Sequence, residues 1–269
     1  MNTPNPELEP VSLFSIVMPA YNEEDVIEAT LTDLCDHLDT TGFAYEVVVT
    51  NDGSKDRTGE ILERIEAERL HVRPILNPGP GGYGYAIRKE LEHYHGGAVV
   101  VVTADGADSP KDVVAYFSKI NEGYDCAFGA RFGKESTVTG YPPIKRLINR
   151  MANQLLAWIV GVPYKDFTNG FKCYRRHVVE DMQPIITGQF NITIEMLLKA
   201  TLAGWSYAVV PNDWRQRDAG ESSFNVLKLM KPNAATMIYC LTRLSAHRAP
   251  VEPSAARSAP CHPGLFFCL

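Results

Sequence analysis

Four short segments of the chain combine carboxylates, amides and glycines in ways that suit a phosphorylated ligand. Pro19-Ala20-Tyr21-Asn22-Glu23-Glu24 offers an aromatic and backbone wall with polar groups beside it, which a nucleotide base requires. Its structural alternative is a helix start, with Asn22 as cap and Glu23 and Glu24 in the first turn. Asn51-Asp52-Gly53-Ser54 places a carboxylate where a base or ribose could donate to it, or makes a tight turn into the next helix. Gly79-Pro80-Gly81-Gly82-Tyr83-Gly84 would let backbone approach a diphosphate ahead of a helix N-terminus. Its position and spacing are not those of the dinucleotide fingerprint. In Thr103-Ala104-Asp105-Gly106-Ala107-Asp108, Asp105 is placed to hold Mg²⁺ or Mn²⁺ against a diphosphate, because hard cations take carboxylate and phosphate oxygens. Asp108, two residues before Pro110, is the natural cap of the following helix.

Each segment needs an element behind it, and each follows a predicted strand. Phe14–Met18, Tyr45–Thr50, Val72–Leu76 and Ala98–Val102 are apolar runs rich in branched residues, as buried strands are. Asp25–Leu38, Thr58–Leu70, a stretch from the glycine-rich loop to about Tyr94, and Pro110–Asn121 carry helical spacing. Cys126–Ala130 follows as another strand. Four βα units in succession predict an α/β fold with a mostly parallel central sheet and helices on both faces. Ligands of such sheets sit at the carboxyl ends of the strands, where these four segments lie.

The second half reads differently. Ile144–Val160 is an amphipathic helix, with Leu147, Ile148, Met151, Leu155, Leu156 and Ile159 near one face. A polar turn spans Asp166 to Gly170, Thr193–Ala203 is helical, and Tyr207–Pro211 is a strand. Beyond Ala246, Pro, Ala, Ser and Arg dominate, the composition of a disordered tail. Leu227–Leu244 is broken by Lys228, Lys231, Pro232, Asn233 and Arg243, so it suits a membrane surface better than a span.

Taken in order, these segments resemble the family 2 glycosyltransferases of GT-A (Rossmann-like) fold. The nearest likeness is to the branch of dolichol-phosphate mannosyltransferase and related polyprenyl-phosphate enzymes. The likeness rests on Ile16–Glu23, Asn51–Ser54, Gly82–Ala86, Ala104-Asp105 and Gly129–Arg131. It continues through Arg146 with Asn153, Asp166–Lys172, Glu195-Met196 and Arg217–Gly220. The resemblance implies one domain over 12–224, with a nucleotide-sugar half (12–131) and an acceptor half (132–224). An amphipathic segment (225–245) and the tail (246–269) would follow.

For the residues, the resemblance implies that Pro19, Ala20, Tyr21, Glu23, Asn51, Asp52, Gly82, Gly84 and Ala104 surround the donor. Asp105, with Asp108, would bind the metal. Asp105, Arg131 and Arg217 would serve the reacting centre, where forked guanidinium donors suit phosphate. Asp166, Thr168, Asn169, Lys172, Glu195 and Ser222 would line the acceptor side. Three positions depart from the family pattern. Its Asp-Ala-Asp reads Thr103-Ala104-Asp105, its paired aspartates read Asn51-Asp52, and its lysine after the arginine motif is Ser223.

The implied reaction moves mannose or glucose from GDP-mannose or UDP-glucose to a polyprenyl or dolichyl phosphate, with inversion. Catalysis would rest on positioning and on neutralising the diphosphate. An anionic acceptor needs no strong base. A soluble or cell-surface hydroxyl acceptor would need one, and Glu195 or Asp166 are the candidates. The rivals are a nucleotidyltransferase and a catalytically silent nucleotide-sugar-binding protein. A membrane approach would use Ile144–Val160 and Leu227–Leu244, although core packing is the commoner use of such helix faces. The net charge of -6 and pI near 5.7 argue against a nucleic-acid partner. Six scattered cysteines without a CxxC pair suit a reducing compartment; the expected location is cytoplasmic, peripheral on the cytoplasmic membrane face.

Overall fold

The computed structural model describes residues 3–133, 135–215 and 235–242. Its centre is a seven-stranded sheet of order β3-β2-β1-β4-β7-β5-β8. The strands are β1 (Phe14–Ala20), β2 (Tyr45–Asn51), β3 (Val72–Leu76), β4 (Ala98–Val101), β5 (Cys126–Ala130), β7 (Lys172–Arg175) and β8 (Tyr207–Pro211). Only β7 runs antiparallel, between β4 and β5. A separate two-stranded ribbon pairs β6 (Val138–Thr139) with β9 (Trp214–Arg215).

Alternation along the strands builds a core on each face. Ile16, Met18, Val47, Val49 and Val100 join one cluster with α1 (Ile27–Asp39), α2 (Thr58–Glu68) and α4 (Pro110–Asn121). Val17, Val48, Val99, Val101 and Phe128 join the other. On that side lie α3 (Tyr83–Glu90), α6 (Arg176–Asp181) and α7 (Ile192–Ala203), with Ala157 of α5 (Pro143–Val160). Covered on both sides, the strands are continuous apolar runs, as expected of a parallel sheet.

The chain moves outward from β1 to β2 and β3, then returns to β4 on the other side of β1. The loops after β1 and β4 therefore diverge at the switch point where α/β sheets bind ligands. Both carry candidate residues.

The sequence reading missed β6, β7, α6 and β9. β7 is only four residues, Lys-Cys-Tyr-Arg, and its charged ends hide a strand that is wholly buried. Among the described residues, no helix is long and apolar enough to cross a membrane. Cys35, Cys126, Cys173 and Cys240 are buried free thiols.

The larger surprise is α5. Its inward side carries Asn149, Asn153 and Ala157, while Ile144, Leu147, Ile148, Met151, Leu155, Trp158 and Ile159 are exposed. Spacing of three and four residues puts that set on one stripe. The apolar face expected to pack into the core points outward.

Candidate active site

The first two loops lock to each other. Asp52 donates its amide to the Ala20 carbonyl at 2.9 Å. The Asn22 amide meets Ser54 Oγ at 3.0 Å, and Asn22 Oδ1 accepts from the Lys55 amide at 2.8 Å. Asn22 adopts φ 53°, a left-handed conformation that asparagine tolerates better than most residues. It is not a helix cap: α1 begins after Val26 without a side-chain cap. Ala20 is buried, Pro19 and Glu23 are half-buried and Tyr21 is exposed, so this loop presents a ring to solvent beside the switch point.

Asn51 and Asp52 divide their work. Asn51 Oδ1 accepts from the Ser54 amide at 2.9 Å, which is the turn anticipated as its alternative use. Asp52 turns toward the glycine-rich loop: Oδ1 accepts from Asn77 Nδ2 and Oδ2 from the Gly82 amide, both at 2.6 Å. The glycines there serve close packing. A Cβ on Gly84 would lie 2.6 Å from Gly188 C, and one on Gly82 2.5 Å from Gln189 Nε2. The Tyr85 amide, near the start of α3, donates to the Gly188 carbonyl at 3.1 Å. The small residues that suggested a diphosphate cradle thus admit chain 188–189, which arrives from the second half of the sequence.

The loop after β4 is organised by Thr103. Its hydroxyl lies 2.6 Å from Asp105 Oδ1 and 2.9 Å from Asp108 Oδ2, and its amide donates to Asp108 Oδ2 at 2.9 Å. A hydroxyl carries one hydrogen and can donate to only one carboxylate at a time. Burial pushes the Asp108 carboxyl up to about 7, against the opposing Thr103 amide bond. Asp108 is therefore folded back onto Thr103, and the N-cap of α4 is Ser109, with no side-chain cap bond. The cap expected from sequence is replaced by a carboxylate facing Asp105. An isolated bridge joins Asp108 to Trp214, so β9, unseen in the sequence, closes over this loop.

Arg131 and Asp166 are brought together as partners. Nε and Nη2 of Arg131 donate to Asp166 Oδ2 and Oδ1 at 3.0 and 2.6 Å, and the Arg131 amide adds a third bond at 2.9 Å. Both side chains are buried. Burial opposes the guanidinium charge, but Asp166 outweighs it and raises the Arg131 pKa. The phosphate role drawn from the resemblance is thus met by a guanidinium already forked onto a carboxylate. Arg131 Nη2 also reaches Thr168 Oγ1 at 3.1 Å, where Asn149 Nδ2 converges at 3.3 Å and Asn153 Nδ2 at 3.5 Å. The inner face of α5 is therefore bonded to the turn expected to hold the acceptor.

The profile of glycosyl transferase family 2 matches residues 15–183, spanning every strand from β1 to β7. The chain belongs to glycosyl transferase family 2. Solved structures agree on the fold. Glucosyl-3-phosphoglycerate synthase from Mycobacterium tuberculosis, in complex with phosphoglyceric acid, is 20% identical with a TM-score of 0.63, over 85% of this chain and 80% of that one. Its complex with UDP gives the same identity and TM-score over 87% and 80%. A complex of that enzyme with Mn²⁺, UDP and glucosyl-3-phosphoglycerate is 20% identical with a TM-score of 0.62, over 87% and 80%.

As a family 2 glycosyltransferase the chain is an enzyme with a nucleotide-sugar fold. The residues expected on the acceptor side are mostly framework. Asn169 Nδ2 donates to the Gly129 carbonyl at 3.0 Å. Lys172 Nζ donates to the carbonyls of Phe167 and Asn169, and burial pushes its pKa down to about 7, against the pull of Asp166. Glu195 is fully buried. It accepts from the Ile186 amide, from the amide and hydroxyl of Thr187, and from Lys199 Nζ at 2.7 Å. Burial raises its pKa, but those bonds prevail and hold it below the usual range. Arg217, Ser222 and Ser223 lie outside the described residues, as does most of 225–245.

For a divalent cation the candidate carboxylates are Asp105, which already accepts from Thr103 and Ala107, and Asp108, which accepts from Thr103. Among the described residues no cluster of three or more metal-ligating side chains forms. Two carboxylates nevertheless fit cations such as Mg²⁺, which keep one or two protein carboxylates and take substrate phosphates for the rest. A cation held there would neutralise charge on the departing diphosphate.

Proposed function

We propose that this glycosyltransferase moves glucose or mannose from UDP-glucose or GDP-mannose to a polyprenyl phosphate, working on the cytoplasmic face of a membrane. The observation that carries the reading is α5. Its exposed apolar stripe and exposed Arg146 and Arg150 suit an anionic lipid surface, and its inner asparagines hold Thr168 of the acceptor turn. A lipid bound beneath α5 would bring its phosphate to that turn.

The carboxylates support the same acceptor. Asp166 is forked by Arg131, and Glu195 is saturated by Ile186, Thr187 and Lys199. Neither is available to take a proton from a sugar or peptide hydroxyl. A phosphate acceptor is already a nucleophile at neutral pH, so positioning and charge neutralisation suffice. Tyr21, Asp52 and the loop at Asp105 would hold the donor, with Mn²⁺ or Mg²⁺ on Asp105 and Asp108. Single displacement inverts the anomeric centre.

The likeness to a synthase solved with Mn²⁺, UDP-glucose and phosphoglyceric acid supports a second reading, in which a small soluble phosphorylated acceptor takes the glucose. One experiment separates the two. Purified chain is given each sugar nucleotide with Mn²⁺ and either a short polyprenyl phosphate or phosphoglyceric acid, and flotation with anionic liposomes is measured alongside. Product on the lipid, with co-flotation, is expected. Transfer to phosphoglyceric acid alone, without liposome association, would reject the lipid reading.

A further inference from the structure

We propose that the Tyr83 hydroxyl hydrogen-bonds the sugar of the bound donor and helps to select the hexose transferred. This rests on the glycosyltransferase reading above and adds a residue to it. Tyr83 opens α3 directly after Gly82, whose amide is tied to Asp52. Its ring packs against Phe190 with centroids 5.0 Å apart, so the acceptor half fixes the direction of the phenol.

The hydroxyl oxygen is buried and has no hydrogen-bond partner among the described residues. It lies beside Gly170, where a Cβ would come within 3.1 Å of it. Burial, then the charges of Asp108, Glu90 and Asp105, push the phenol well above its ordinary pKa, so it stays protonated and able to donate. A buried hydroxyl without a partner is unfavourable, and such groups in folded proteins call for one.

Three other buried atoms share that state: Glu90 Oε2, Asn153 Oδ1 and Tyr174 Oη. Tyr174 belongs to the apolar cluster behind β7, Asn153 to α5, and Glu90 to the end of α3 beneath Thr50. Of the four, Tyr83 is the one that neighbours both the carboxylates of the loop after β4 and Gly170 of the acceptor turn; Asn153 reaches only that turn, at Thr168. Asp52 marks the nucleoside end, Asp105 and Asp108 the diphosphate, and Gly170 the acceptor turn. The part of the donor that must lie between them is the sugar, whose hydroxyls both donate and accept as a phenol does.

Tyr83→Phe tests this with two readouts, using titration calorimetry in Mn²⁺ and thermal unfolding. Affinity for UDP-glucose or GDP-mannose should fall about ten-fold, while affinity for UDP or GDP alone should match the parent. The unliganded melting temperature should not fall, because no internal bond is lost. Unchanged affinity for the sugar nucleotides, an equal loss for the bare nucleotides, or a lower unliganded melting temperature would overturn the inference alone. A parent protein that binds none of the four nucleotides would overturn the donor reading, and the inference with it.

Discussion

Replacing Leu147, Met151 and Trp158 together with Gln tests the outward face of α5 most directly. In the isolated protein these side chains are 61%, 66% and 79% exposed. Full burial of a large apolar side chain is worth about 1.5–3 kcal/mol, so scaled by exposure the three offer a bilayer about 3–6 kcal/mol. Losing that contribution should weaken binding to anionic vesicles roughly a hundred-fold to ten-thousand-fold. Folding should hardly change, because substitutions on a solvated face stay within about 0.5 kcal/mol each. Flotation with phosphatidylserine vesicles reads the first quantity and urea unfolding the second. Salt should weaken what binding remains, since Arg146 and Arg150 are exposed charges. A variant that floats like its parent would refute membrane docking. One that loses the several kcal/mol typical of core truncation would show that the face is covered within the protein.

Other positions give sharp expectations. Asp166→Asn should cost about 3–5 kcal/mol of unfolding free energy, because it strands a buried guanidinium; a loss under 1 kcal/mol would mean that Arg131 finds another partner. Thr103→Asp replaces the hydroxyl between Asp105 and Asp108 with a third carboxylate, so the melting temperature should fall without divalent metal and recover with Mn²⁺; equal melting curves would argue against a cation there. Asp105→Asn should lower transfer at least about a hundred-fold if its charge holds the cation against the diphosphate, and undiminished turnover would remove it from the mechanism. Lys172 titrates near 7 when folded and near its ordinary 10.5 when unfolded. The unfolded chain therefore binds more protons in that window, and stability should rise with pH by up to about 1.4 kcal/mol per unit. In Lys172→Met that slope should flatten.

Most of the sheet was legible because its strands are buried on both faces and therefore uninterrupted in sequence. Val47, Val48 and Val49 need no alternation when one side chain faces each core in turn. β7 was illegible because its lysine is buried and bonded to backbone carbonyls rather than solvated, which no local pattern announces. The loops were found because they follow strands, but their internal roles were not. Asn22 bonds across to Lys55 instead of capping α1, and Gly84 makes room for Gly188; both depend on chain distant in sequence. Periodicity finds most of the stripe on α5, with Leu156 half-buried against the core instead; the expected inward direction fails because spacing alone does not say which side of an amphipathic helix meets water. Asn149 and Asn153 decide it: their bonds to Thr168 place the polar side inward.

In the proposed site a nucleoside diphosphate arriving at the strand ends would meet Asp52, Asp105 and Asp108, all acidic. Arg131, the described cation that the family resemblance placed at the reacting centre, is already neutralised by Asp166, and the bidentate bond is too favourable to surrender for a solvent-exposed phosphate. Arg131 holds the turn after Asp166 through Asp166 and Thr168, and a second anion would be repelled unless positive charge came from elsewhere. Two candidate sources are a divalent cation at Asp105 and Arg217, which lies outside the described residues. They predict opposite dependences: if the cation supplies the charge, chelation abolishes donor binding and Arg217→Ala weakens it modestly; if Arg217 supplies it, the order reverses. Thr103 bears on this choice, because one fewer carboxylate lowers both the repulsion felt by the diphosphate and the affinity for the metal.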